Sequence, residues 1–295
     1  MDMQPPPLAR QKLVLIGNGM AGIRALEELL KIAPQMYDIT VFGAEPHPNY
    51  NRILLSPVLA GEQTLDEIIL NDWAWYTEHG ITLHAGCTVT EVNRVRRTVQ
   101  ATSASGDTLS VPYDRLVLAT GSNPFILPIP GKDLPGVLAY RDIADTQAMI
   151  DAAATYRHAV VIGGGLLGLE AANGLMKRGM QVTVVHVGPW LMERQLDEVA
   201  GKLLQQSLEQ RGMQFLMGAQ TEALLPAASG RVGAVRFKAG TTPEPEVPAD
   251  LVVMAVGIRP NTALAERMRL HVNRGIVVND TLQTTTDPRI YAVGE

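Results

Sequence analysis

One unit occurs twice in this chain, and that repetition constrains its fold more than any other feature. The apolar run Leu13-Val14-Leu15-Ile16 leads into Gly17-Asn18-Gly19-Met20-Ala21-Gly22 and then into Ile23-Arg24-Ala25-Leu26-Glu27-Glu28-Leu29-Leu30. Ala159-Val160-Val161-Ile162 leads into Gly163-Gly164-Gly165-Leu166-Leu167-Gly168 and then into Leu169-Glu170-Ala171-Ala172-Asn173-Gly174-Leu175-Met176. Each reads as a buried strand, a tight turn and a helix. In such a turn the first glycine permits the bend. The second lets backbone approach a pyrophosphate, and the third lets helix and strand pack closely. The helix N-terminus behind it offers unpaired N–H groups and the positive end of its dipole to an anion. A lone Gly-x-Gly-x-x-Gly also occurs in ordinary loops; two, each in strand–turn–helix context, do not fit that explanation.

The flanks extend the doublet. A strand at 38–42 ends just before Glu45, which lies 23 residues beyond Gly22, near the roughly 20-residue spacing at which an acid reaches a ribose hydroxyl. The second unit's strand, 181–185, ends at His186, 18 residues beyond Gly168, where the same logic looks for an acid. Two later strands end alike, in Ala119-Thr120-Gly121-Ser122 and in Val256-Gly257-Ile258-Arg259-Pro260-Asn261. A strand stopping at Thr-Gly can aim N–H groups and a hydroxyl at the same ligand.

With 295 residues the chain can hold two domains. Its apolar content of 46% and charged content of 19% are those of a globular protein. A net charge of −5 gives no electrostatic reason to expect nucleic acid or an anionic membrane as partner. The start, 1–10, is Pro-rich without a signal-peptide core, and no apolar run approaches the roughly 20 residues that span a bilayer. These features read as cytoplasmic. One cysteine, Cys87, excludes an internal disulfide and any dithiol-exchange site, and reads as a packed thiol. The six histidines lack metal-ligand spacing, so no metal site is expected.

Along the chain, Pro34 closes the first helix. Residues 43–61 read as an irregular loop beside a nucleotide site. Residues 65–79 read as a helix capped by Asp72, with Trp73, Trp75 and Tyr76 as core packing. Short strands follow at 81–84, 88–92, 98–102, 108–111 and 115–119, with a turn at Ser105-Gly106-Asp107 and a solvated face carrying Arg94, Arg96 and Arg97. Pro and Gly at 123–140 suggest a linker. Helices are expected at 142–154 and 197–210, and strands near 213–217, 231–237, 251–255, 276–279 and 290–295.

These stretches resemble the FAD-dependent pyridine-nucleotide oxidoreductases, over nearly the whole chain. Within that family the chain looks most like the flavoprotein portion of the NAD(P)H-dependent nitrite reductase large subunit. The most particular tokens are Glu45-Pro46-His47-Pro48-Asn49-Tyr50-Asn51-Arg52 and Leu191-Met192-Glu193-Arg194-Gln195-Leu196-Asp197. The resemblance implies an α/β fold of two Rossmann-like dinucleotide-binding domains, the NAD(P) domain inserted in the FAD domain. The expected division is a flexible tail over 1–11, FAD-binding domain over 12–125, linker over 126–140, NAD(P)-binding domain over 141–262, and an incomplete return to the FAD domain over 263–295.

It also implies site residues. FAD would lie against Gly17, Gly19, Met20, Ala21 and Gly22, with Glu45 on its ribose, Ala119, Thr120 and Gly121 in a second contact stretch, Arg52 beside the flavin and Glu295 on the ribityl chain. NADH or NADPH would lie against Gly163, Gly165, Leu166, Leu167, Gly168 and Gly257, with Glu170 near a nicotinamide stacked on the flavin. Glu170 and Arg52 are the candidates for shaping that catalytic contact. Hydride would pass from nicotinamide to flavin, and electrons on to an iron–sulfur or sirohaem module or a small redox protein, as in nitrate assimilation.

Several positions depart from the pattern. Pro57 follows Leu55-Ser56 where related ferredoxin reductases often carry a lysine. Glu295 stands where the family usually has Asp. His186 stands where NAD-preferring members often carry glutamate, so NADPH stays open, and His186 is either a solvated strand end or a reader of cofactor identity. The family continues past the equivalent of Glu295 with a helix and a further domain. One cysteine cannot supply iron–sulfur and sirohaem ligands, so these residues alone are not expected to reduce nitrite. A stand-alone rubredoxin or ferredoxin reductase, and a nucleotide-binding module without turnover, are the alternatives.

Overall fold

The computed structural model describes residues 10–295. The expected tail over 1–11 lies outside the described residues for 1–9, and its end is corrected, because Gln11 already pairs with Tyr37 in a sheet. The chain forms two compact units. Among the described residues the first comprises 10–51, Ile69–Ser122 and Pro260–Glu295; the second comprises Arg52–Ile68 and Asn123–Arg259. Residues 52–68, expected with the first domain, therefore cluster with the second.

In the first unit, strand β1 (Gln11–Ile16), helix α1 (Met20–Ile32) and strand β2 (Tyr37–Gly43) form a β-α-β crossover. The sheet order is Ile290–Ala292, Arg115–Leu118, β1, β2, Thr82–Ala85, all parallel. Leu13 and Leu15 pack with Ile23, Leu26 and Val41 on one face. Val14 and Ile16 pack on the other with Leu116, Leu118 and Val99. A central parallel strand is buried on both faces, which is why its sequence is an unbroken apolar run. An antiparallel sheet of Cys87–Asn93, Thr98–Ser103 and Thr108–Pro112 covers the second face.

The second unit repeats the plan. Strand β3 (His158–Ile162), helix α2 (Leu166–Lys177) and strand β4 (Gln181–His186) form its crossover. The sheet order is Val137–Ala139, Leu251–Met254, β3, β4, Gln214–Met217, again all parallel. An antiparallel sheet of Thr221–Pro226, Val232–Phe237 and Glu246–Pro248 packs on it through Leu224, Val235 and Phe237. The stretch read as a linker is partly structural, since Val137–Ala139 is a strand of this sheet.

The region 65–79 is not one helix. A 3-10 turn at Asp66–Ile68 and a strand at Ile69–Asn71 precede a short helix, Trp73–Glu78, whose N-cap is Asp72. Asn71 bonds the Glu27 carboxylate and Ile69 pairs with Tyr50, and these tertiary contacts override the helical pattern. Trp73 is exposed, while Tyr76 is in the core. The loop at 43–61 contains a short helix, Leu55–Leu59. The 276–279 strand is reduced to isolated bridges. Arg94 does not sit on a solvated face: it donates to the Met268 and Thr286 carbonyls and pairs with buried Asp287. No helix among the described residues is long and apolar enough to cross a membrane.

Candidate dinucleotide sites at two glycine turns

At the first turn Gly17 has φ +110°, and a Cβ there would stand 2.0 Å from the Ala119 carbonyl oxygen. Only glycine fits, by conformation and by space. Gly22 is equally confined, with a Cβ 2.9 Å from that of Ala119. Gly19 is the opposite case. It is the N-cap of α1, no side chain caps it, and nothing lies within 4 Å of a Cβ built there. The first turn of α1, which starts with Met20 and Ala21, holds no acidic residue.

The second turn repeats these features. Gly163 has φ +122° and a Cβ 2.2 Å from the Ala255 carbonyl oxygen; a Cβ on Gly168 would meet the Gly163 carbonyl at 2.0 Å. Gly165 caps α2 without a side-chain bond, in open space, and the first turn of α2 has no acid. Leu166 and Leu167, which open α2, are exposed. By contrast, helices Trp73–Glu78, Ile143–Thr155 and Glu198–Glu209 are each capped by an aspartate, Asp72, Asp142 and Asp197, accepting an N–H at 2.8–2.9 Å. Two short helices, Leu55–Leu59 and Ala263–Arg267, also lack a side-chain cap, but only the N-termini of α1 and α2 follow a glycine turn with open space at the cap, where a bound anion such as a diphosphate would complete them.

The middle residue of each turn is fixed differently. Asn18 accepts from the Tyr76 hydroxyl at 2.8 Å, donates to the His47 carbonyl, and its own carbonyl accepts from Asn49. Burial pushes the Tyr76 phenol up to about 12, against the opposing pull of its bonds to Asn49 and Asn18, so it remains a neutral donor. At the second turn, Gly164 has no side chain and its N–H donates to His186 Nδ1 at 3.1 Å. Since Nδ1 accepts, the proton is on Nε2, which donates to Glu193 at 2.9 Å. His186 is buried, not a solvated strand end.

The remaining candidates distribute as follows. Glu45 is half-buried and accepts from the Tyr50 hydroxyl at 2.7 Å. The Thr120 hydroxyl is committed to the Asn261 carbonyl at 2.9 Å, so its donor is not available to a ligand. Gly121 (φ +62°) accepts the Asn261 N–H through its carbonyl. Gly257 has φ +113° with open space beside it. Val293 donates to the Leu118 carbonyl, and a Cβ on Gly294 would lie 2.9 Å from that of Ala21, which brings the backbone before exposed Glu295 to the start of α1.

Within the second unit, Arg52 donates to the Arg141 carbonyl. Glu170, on α2, accepts from the Ser56 hydroxyl at 2.6 Å, and Ser56 in turn accepts from the Tyr140 hydroxyl at 3.1 Å. Burial pushes the Tyr140 phenol to about 12, with Ser56 lowering and Glu170 raising it. Glu170 is therefore oriented by a serine. Gly174 makes room for this approach, because a Cβ there would strike Leu59 at 2.6 Å. Arg178 caps the end of Leu55–Leu59 through the Val58 and Leu59 carbonyls. Asn18, Tyr76, Ser56, Tyr140 and Glu193 escape a reading by motif, because each acts through a partner that no spacing rule names.

The family model described as pyridine nucleotide-disulphide oxidoreductase matches residues 11–295. The NAD(P)H nitrite reductase of Bacillus subtilis is 56% identical over 98% of this chain and 34% of its own length. The assimilatory nitrate reductase electron transfer subunit of the same organism is 50% identical over 98% of this chain and 36% of its own length. Putidaredoxin reductase, solved in a covalent complex with putidaredoxin, superposes with a TM-score of 0.87 at 31% identity, over 97% of this chain and 67% of that one. The chain thus spans about a third of the length of the two curated relatives.

Proposed function

This chain belongs to the pyridine nucleotide-disulphide oxidoreductase family, and on that premise we propose that it is a flavoprotein module that takes hydride from NAD(P)H onto FAD and sends electrons to an iron centre. The observation that carries this reading is the pair of open, acid-free helix N-termini behind Gly19 and Gly165. The first turn holds FAD and the second the nicotinamide dinucleotide. Bound flavin supplies the chemistry that turns a hydride into single electrons.

The chain's own groups bind and orient. The α1 and α2 N-termini hold the two diphosphates. Glu45, fixed by Tyr50, accepts a ribose hydroxyl. Met20, Ala21, Ala119, Gly121 and Glu295 line the FAD side, and Leu166, Leu167 and Gly257 the nicotinamide side. Glu170 and Arg52 position the reacting partners, Glu170 through its bond from Ser56. The family's disulphide chemistry is not available to a chain with one cysteine, Cys87. The proposed electron acceptor is an iron–sulfur or sirohaem module; the relatives named as a nitrite reductase and as a nitrate reductase electron transfer subunit support onward electron transfer. A small redox protein is the second reading, supported by the likeness to putidaredoxin reductase.

A visible spectrum of the chain reconstituted with FAD tests this, with NADH and NADPH then added without oxygen. Bound flavin that bleaches is the expected result. Bound flavin that stays oxidised with both nucleotides would make the chain a binding module without turnover.

A further inference from the structure

The ribose reader of the second turn is missing from the strand end. In register, Ile16 pairs with Phe42 in the first unit and Ile162 with Val185 in the second, so Gly43 and His186 occupy equivalent positions one residue on. Glu45 lies two residues past Gly43, and its counterpart two past His186 is Gly188. A Cβ on Gly188 would stand 2.7 Å from His186 Nε2, so the imidazole excludes a side chain there.

A carboxylate reaches the turn by another route. Met192 donates its N–H to the Gly164 carbonyl at 3.0 Å, and does so in the left-handed region, with φ +54°. That conformation is disfavoured for a side chain like methionine and is held here by the contact it makes. The next residue, Glu193, takes the His186 Nε2–H at 2.9 Å. Both polar groups of Gly164 are thereby used to place one carboxylate: its N–H through His186, its C=O through Met192. The Glu193 side chain keeps 37% of its surface exposed, and one of its oxygens is engaged by His186.

We propose that Glu193 is the group that reads the adenosine ribose at the second turn, with His186 as its positioning residue, and that this makes the chain select NADH over NADPH. The inference rests on the reading of that turn as the nicotinamide-dinucleotide site. A carboxylate accepts from the two ribose hydroxyls and repels a 2′-phosphate.

The test is calorimetric titration of the full chain with NAD+ and with NADP+. The wild type is expected to bind NAD+ on the order of 10-fold or more tighter than NADP+, the worth of one charge-assisted hydrogen bond. Glu193→Gln, an exposed and isosteric change, should weaken NAD+ by about 10-fold and bring the ratio towards one. His186→Asn should move the ratio the same way by less, whereas a purely structural role would weaken both nucleotides alike. An unchanged ratio in Glu193→Gln would overturn the assignment of Glu193. A wild type that prefers NADP+ would overturn it too, and point to exposed Arg194 as a phosphate reader. Binding of neither nucleotide would instead overturn the reading of the turn itself.

Discussion

The two glycine turns solve one packing problem in opposite ways. At the first, the middle position carries a side chain, Asn18, and the facing strand end is glycine, Gly43; a Cβ on Gly43 would come within 2.9 Å of the Asn18 Cβ. At the second, the middle position is glycine, Gly164, and the strand end carries His186; a Cβ on Gly164 would come within 2.8 Å of the imidazole. Space allows one side chain between turn and strand end. Which partner supplies it decides what else the turn can do. Asn18 ties its turn to Tyr76, His47 and Asn49. His186 instead leaves the far side of its imidazole to orient Glu193. The same backbone cradle is thereby given two different polar surroundings.

The largest effects should come from what the two turns share. Gly17→Ala and Gly163→Ala place a Cβ 2.0–2.2 Å from a backbone carbonyl at φ above +100°. Each should cost about 3 kcal/mol or more, because backbone has to move. Thermal unfolding reads the loss, and nucleotide titration should show that each variant loses one ligand before the other.

The two units also differ in their buried charge. Asp287 is 3% exposed; burial raises its carboxyl, but the Arg289 guanidinium and N–H, with Arg94, outweigh it and hold the group below the usual carboxylate range. The second unit has the more exposed Asp250, raised by burial and lowered further by the His158 and Arg157 N–H groups. A carboxyl lowered on folding stabilises above its unfolded value of about 4, and that contribution is lost as pH falls through the folded value. Asp287→Asn should cost about 2 kcal/mol at neutral pH and flatten the fall in melting temperature below about pH 4. Asp250→Asn should cost about 1 kcal/mol.

A smaller change breaks the difference between the turns. Tyr76→Phe removes the hydroxyl that holds Asn18 and receives the Asn49 N–H. It should cost about 1 kcal/mol and weaken flavin binding, while nicotinamide-dinucleotide binding stays as it was.

What was legible in the sequence follows from range. Gly17, Gly22, Gly163 and Gly168 are dictated by their own conformation and by atoms close at hand, so a motif finds them. The parallel doublet is legible for the same reason, since each buried strand is an unbroken apolar run. The contacts that tune the site are not local. Ser56 meets Glu170 across 114 residues and Tyr76 meets Asn18 across 58. Glu193 is only 7 residues from His186. It was hidden all the same, because the approach depends on a methionine in the left-handed region. The sequence also misplaced Arg94 as solvated, since nothing local indicates that Asp287 and the Met268 carbonyl face it.

The smallest effect on stability and the sharpest on function come from the same pair of variants. Gly19 and Gly165 both hold extended N-cap backbone (φ −86° and −83°) with open space ahead. Gly19→Asp and Gly165→Asp should each stabilise the ligand-free chain by about 0.3 kcal/mol, as a glycine cap is only slightly inferior to an aspartate one. Each should also set a negative charge where the proposed diphosphate would sit. The most direct test is to titrate FAD and NAD+ separately into both variants and the wild type, with flavin absorbance and calorimetry as readouts. A crossed result is expected: Gly19→Asp loses FAD and keeps NAD+, while Gly165→Asp keeps FAD and loses NAD+. Loss of both ligands from either variant without loss of stability, or retention of both, would contradict the assignment of one dinucleotide to each turn.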